Sequence, residues 1–156
     1  MRTTGVAVSA INRPTINRRP ARIIALQALY ELDVTHHAVA DVLTARLEEA
    51  TLDTNLHSFT YMIVNGVVDN RERIDALIQT SASEWPLDQV SVVDRNILRL
   101  AVYEMAVAKQ SPFSVVINEA IELAKDFGSE SAARFINGVL GSLATQKAQL
   151  ASVLKR

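Results

Sequence analysis

VINEAIELAKDF, residues 116–127, puts Val116, Ala120, Leu123, Ala124 and Phe127 at i, i+4, i+7, i+8 and i+11, which is one apolar face of an α-helix. Pro112 stands just before it, where a missing N–H costs little, and Gly128 follows as a terminator. Downstream, Ser129 caps a last helix that buries Phe135, Ile136, Val139, Leu140 and Leu143, with Gly138 and Gly141 on or near that face to allow close helix approach. Upstream, Ser91 and Asp94 have capping-box spacing for a helix running to about Lys109 through Val93, Ile97, Leu100, Ala101 and Met105. Pro86 breaks the chain ahead of it. Earlier apolar spacings predict helices over 71–83, 54–69 and 40–50, the middle one carrying Leu56, Phe59, Ile63 and Gly66 in register. The first helix takes Asn17 as cap, holds Pro20 in its first turn, and runs to Asp33 with Ala25, Leu29 and Leu32 on one face. No window alternates with period two between turn residues, so the expected fold class is all-α, with about seven helices.

At 156 residues, 49% hydrophobic and 21% charged, the chain is one domain's worth, long enough to bury a core and too apolar to stay disordered. It contains no cysteine, which removes disulfide scaffolds, thiolate metal sites, iron–sulfur clusters and cysteine nucleophiles together. The longest uncharged run, Thr54 to Val68, is too short and polar to span a bilayer, and Thr3 to Asn12 is too polar for a signal-peptide core. A cytoplasmic protein is expected.

The net charge of −1 is unevenly spread. Arg2, Arg13, Arg18, Arg19 and Arg22 fall within residues 1–30 with no acid among them, so the remainder carries −6. This divides the chain into a flexible basic arm over 1–17 and a helical body over 18–156. Arg18, Arg19 and Arg22 oppose the positive end of the helix dipole, so something besides helix stability favours them. Guanidinium groups fork onto phosphate and stack on bases, which suits single-stranded RNA. Many basic tails are merely solvated, and composition alone leaves nucleic-acid binding open. Tyr30, farther along the same helix, and Phe135, beside Arg134, could stack on bases or simply pack in the core.

Catalytic patterns are missing. Gly66, Gly128, Gly138 and Gly141 fit no phosphate-loop or dinucleotide motif. His36 and His37 are adjacent and point apart, and His57 has no ligand partner one turn away. No serine sits in a nucleophile elbow. Glu119 and Glu122, followed by Lys125 and Asp126, read as a solvated helix face with internal pairing. No enzyme activity, metal or cofactor is expected.

Three stretches carry a further signal when taken together. Arg18-Arg19-Pro20-Ala21-Arg22 leads into Ala25-Leu26-Gln27-Ala28-Leu29-Tyr30; the second is Val93-Asp94-Arg95-Asn96-Ile97-Leu98-Arg99-Leu100-Ala101-Val102-Tyr103-Glu104. The third runs from Pro112 through INEAIELAK (117–125) and Phe127-Gly128 to FINGVLG (135–141). In order and spacing they resemble the NusB transcription antitermination family, from Arg18 to the C-terminus. The resemblance implies two packed helical subdomains and a non-catalytic role in transcription regulation. Members of that family bind the boxA element of ribosomal RNA leaders with NusE, a small-subunit ribosomal protein, in the RNA polymerase antitermination complex. By position it implies RNA-binding roles for Arg18, Arg19, Arg22, Tyr30, Lys125, Arg134, Phe135 and Asn137, and a place for Asp94 on the NusE side. It also allows a homodimer that covers the RNA face. Pro20 stands where the family often has arginine, and Ser131 where an acid can occur.

Two other readings keep the helices and change the role. One is a protein-only adaptor with an idle arm, and the other is the detached NusB-like domain of an RNA methyltransferase. A hydrolase on a helical bundle would need a polar cleft that these residues do not assemble. The favoured reading requires the arginines to stay open to solvent, not locked into pairs with carboxylates, and to converge with the last two helices on one polyanion-facing surface.

Overall fold

The computed structural model describes residues 17–146, so the expected arm, with Arg2 and Arg13, lies outside the described residues apart from Asn17. Seven α-helices follow one another, with no strand among the described residues. Helix α1 (Arg19–Val34) opens with Asn17 Oδ1 accepting from the Arg19 N–H at 3.1 Å, which leaves Arg18 in the cap position. Pro20 fits because a first-turn N–H has no acceptor inside the helix. α2 spans Val39–Glu49, and α3 spans Thr54–Asp69, where Asp53 Oδ1 accepts from the Leu56 N–H at 2.9 Å. α4 (Arg71–Ser81) stops two residues short of its expected end. The Gln79 carboxamide ties the following turn there, donating to the Ala82 and Trp85 carbonyls and accepting from the Leu87 N–H.

α5 (Val92–Tyr103) is capped by Ser91, whose Oγ accepts from the Asp94 N–H at 3.1 Å. It widens into a π turn over Glu104–Ala108 that ends at Lys109, a left-handed residue with φ 52° whose N–H reaches the Glu104 carbonyl at 2.9 Å. α6 (Phe113–Phe127) starts behind Pro112. α7 (Ala132–Ala144) begins three residues after Ser129, which therefore does not cap it; Ser131 holds the cap position without a side-chain bond.

α5 is the axle. Ile97, Leu98, Leu100, Ala101 and Val102 are all buried, and the helix packs on α1, α3, α4, α6 and α7. On one side of it α1, α2 and α3 pack together; on the other, α6 pairs with α7, and α4 closes on α7. These are the two expected subdomains, sharing one apolar core.

The glycines divide by the room around them. A Cβ on Gly66 would sit inside the Tyr103 ring, so that glycine lets α3 meet α5. A Cβ on Gly128 would lie 2.8 Å from Asp94 Oδ1 and from the Ala132 Cβ. Gly128 follows the last residue of α6 with φ −91°, so it makes no left-handed turn, and the crowding accounts for glycine at this position. Gly138 and Gly141 were expected at a close helix approach, but nothing lies within 4 Å of where either Cβ would be. No helix among the described residues is long and apolar enough to cross a membrane.

Candidate nucleic-acid interface

The three arginines at the start of α1 have three different fates. Arg22 is only 5% exposed. Its Nε and Nη2 donate to the two carboxylate oxygens of Glu104 at 2.7 Å each, across the core to the π turn. This corrects the expectation that all three stay open to solvent: one turn into the helix the side chain points at α5, and its charge is already matched. Arg19 also forks onto a carboxylate, with Nε and Nη2 both 3.0 Å from Glu119, but its side chain is 42% exposed. The bond and charge of Glu119 push the Arg19 guanidinium up, with help from Glu122 and Asp126, while the bond from Arg19 holds the Glu119 carboxyl below the usual range. Arg18 has no ion pair among the described residues and lies over the Phe59 ring, 4.5 Å from its centroid. Arg22 shares that ring at 5.5 Å.

Lys125 is exposed and pairs loosely with Glu122 at 3.4 Å, on the helix that carries Glu119. The expected internal pairing of this face is therefore half met, since Glu119 reaches across to α1 instead. Arg19, Glu119, Glu122 and Lys125 together make one surface of alternating charge. Tyr30 is 43% exposed and follows Arg19 by eleven residues. That brings it back to nearly the same side of α1, about 16 Å along the axis. On α7, Arg134 and Asn137 are exposed and Phe135 is half-buried. Arg134 and Phe135 border a cleft of about 420 Å³ against Trp85, the most exposed large apolar residue described, at 58%.

Asp94 departs from expectation. Its residue is 7% exposed and Oδ1 is buried with no hydrogen-bond partner. Burial pushes its carboxyl above the ordinary aspartate value against the pull of the Ser91 hydroxyl. It is thus no surface charge to steer a partner, though it lines a smaller cleft with Trp85, Ser91 and Ser131.

The strongest electrostatic feature went unread in the sequence. Asp33 at the end of α1 takes both Arg95 Nε and Nη2 at 2.8 Å, Asn96 Nδ2 at 2.9 Å and Arg99 Nη1 at 3.0 Å; Arg99 also forks onto Asp75. Burial raises the Asp33 carboxyl, but these bonds and charges outweigh it and hold it at about 2. Arg95 and Arg99 are consequently structural. Lone charges inside an apolar run, such as Glu104 and Arg99, were the available signal. Among the described residues no cluster of acidic and histidine side chains could hold a metal.

Comparison with known proteins supplies the context. A model of the NusB family matches residues 19–145. The transcription antitermination protein NusB of Dehalococcoides mccartyi (strain ATCC BAA-2266 / KCTC 15142 / 195) is 45% identical over 137 residues, covering 88% of this chain and 96% of that protein. The protein of the same name from Bacillus mycoides is 45% identical over 128 residues, covering 82% and 97%. Among solved structures, NusB of T. maritima superposes with a TM-score of 0.79 at 35% identity, covering 86% of this chain and 95% of its own. A chain in a complex of the antitermination factors NusB and NusE with double-stranded RNA superposes with a TM-score of 0.76 at 27% identity, covering 83% and 96%.

Proposed function

The chain belongs to the NusB family, and from that premise we propose that Arg18, Arg19 and Lys125 form the phosphate-binding part of its RNA face. It is an RNA-binding transcription antitermination factor and not an enzyme. The RNA in this reading is the boxA element of ribosomal RNA leaders, bound in the cytoplasm with NusE and handed to the RNA polymerase complex. The observation that carries the assignment is the exposed Arg19–Glu119 fork. It uses Nε and Nη2, and with the Arg19 side chain 42% exposed it leaves Nη1 for a ligand. Arg18 sits beside it on Phe59, and Lys125 lies on the helix that holds the fork. Tyr30 extends this surface along α1, while Arg134, Phe135 and Asn137 offer a second patch with a cation and a stacking ring. Arg22 supports the site from within.

For Asp94 the reading is narrower. A basic side chain of NusE would have to enter the cleft between Trp85 and Ser131 to meet it. A homodimer that covers the RNA face would compete with RNA, which sedimentation with and without RNA would detect.

Fluorescence anisotropy of a boxA-type single-stranded RNA with the full chain tests the assignment. Arg18→Ala with Arg19→Ala should weaken binding at least tenfold, about 1.4 kcal/mol or more. Its melting temperature should stay close to that of the parent, because both residues are partly exposed. Unchanged affinity in that double variant would refute it.

A further inference from the structure

A cleft of about 320 Å³ is lined by Arg18, by Asn55, Ser58, Phe59 and Met62 of α3 and by Gln110 after the π turn. Its size suits a small-ligand pocket. Of the three clefts described it is the one that carries a cation and no carboxylate: Glu84 lines the first and Asp94 the second. Asp53 lies close by in sequence, but its carboxylate is occupied in capping α3. Phe59 is 6% exposed and presents its ring to Arg18, so the guanidinium is stacked on one face while the residue stays half-exposed. Asn55, Ser58 and Gln110 are exposed, and among the described residues the only bond made by any of their side-chain polar groups is a weak Gln110 Nε2 contact with Met62 Sδ at 3.8 Å.

The backbone adds an independent sign. Lys109, next to Gln110, is the one non-glycine residue with positive φ among those described, at 52°. It is exposed and has no ion pair among the described residues. That conformation terminates the π turn, with the Lys109 N–H on the Glu104 carbonyl, and it sets the ammonium-bearing side chain one residue from Gln110.

We infer that this cleft holds one unpaired nucleotide of the bound RNA, its base stacked on Arg18 opposite Phe59, its edge met by Asn55, Ser58 and Gln110, and its phosphate near Lys109. The inference rests on the RNA-binding reading above and extends the RNA path from α1 onto α3. Arginine between an aromatic ring and a base combines stacking with charge, and carboxamides supply both a donor and an acceptor to a base edge.

Single-stranded RNAs lengthened one nucleotide at a time at either end, titrated against the full chain, test it. One added nucleotide should improve affinity by about tenfold, within the range of single-base stacking, and an abasic residue at that position should remove the gain. In Asn55→Ala with Gln110→Ala the shorter RNA should bind as before and the gain should fall at least fivefold, an amount that exceeds ordinary surface effects. Lys109→Gly should raise the melting temperature while weakening the longer RNA, two opposite movements that a purely structural lysine would not produce. A gain that is equal in parent and double variant overturns the proposal. So does an equal weakening of short and long RNAs, or a loss of NusE binding with RNA binding intact. If the parent binds none of the RNAs, the broader RNA-binding reading fails first, and that result is distinct from the others.

Discussion

Arg19 and Arg22 lie three residues apart and make the same kind of fork, yet one is a surface contact and the other a core pin. The difference is solvent. The Arg22–Glu104 side chains are 6% and 5% exposed, so removing either partner strands a buried charge. Arg22→Ala or Glu104→Gln should lower unfolding free energy by about 3–5 kcal/mol, read by denaturant melts. Arg19→Ala should leave the denaturant midpoint nearly unchanged, because water screens the fork. Asp33 sets an acid limit. Its carboxyl falls from 3.8 to about 2 on folding, so the unfolded chain binds the proton more readily and the pairing stabilises the fold at neutral pH. With a side chain 4% exposed, that contribution is about 2 kcal/mol, complete above roughly pH 5 and lost as pH falls towards 2. Acid unfolding monitored by circular dichroism should shift to higher pH in Asp33→Asn. Asp94 has the opposite sign: its raised carboxyl destabilises the charged form, so that penalty is relieved as pH falls.

At the level of the helices, what the sequence disclosed was what local chemistry decides. Apolar spacing located α3 to the residue, and Ser91 and Pro112 marked starts that the bonds there bear out, whereas Asn17 lies one residue ahead of the cap that it was expected to supply. The misreadings needed bonds that only the folded chain forms. Ser129 had cap chemistry, but its backbone carbonyl accepts from the Ala132 N–H in a turn that precedes α7, and the helix starts only at Ala132. Arg22 looked like an arm residue until Glu104 came within reach. The exposed half of the site, Arg18, Arg19 and Lys125, was legible as charge, whereas its selectivity over Arg22, Arg95 and Arg99 was not. The glycines offer a paired test by thermal melts. Gly66→Ala should destabilise by about 1–3 kcal/mol, because the Tyr103 ring must move. Gly138→Ala should stabilise by up to about 1 kcal/mol, since open space lets helix propensity act alone.

For the whole molecule, the division of charge into internal pins and a few open cations sets the salt response. Among the described residues, Arg18, Arg19, Lys125 and Arg134 remain for phosphate on the proposed face, apart from Lys109 at the α3 cleft. Four contacts to single-stranded RNA give a log–log salt slope of roughly −2 to −3; a slope near zero in titrations at several salt concentrations would contradict this count. The same pins fix α1 at both extremities, Glu104 at its beginning and the Asp33 hub at its end. A rod clamped twice has little freedom left to surrender when a ligand arrives, so the entropic toll of association should fall on the nucleic acid. Amide protons in the middle of α1 should then exchange with solvent at nearly the same slow rate before and after RNA is added.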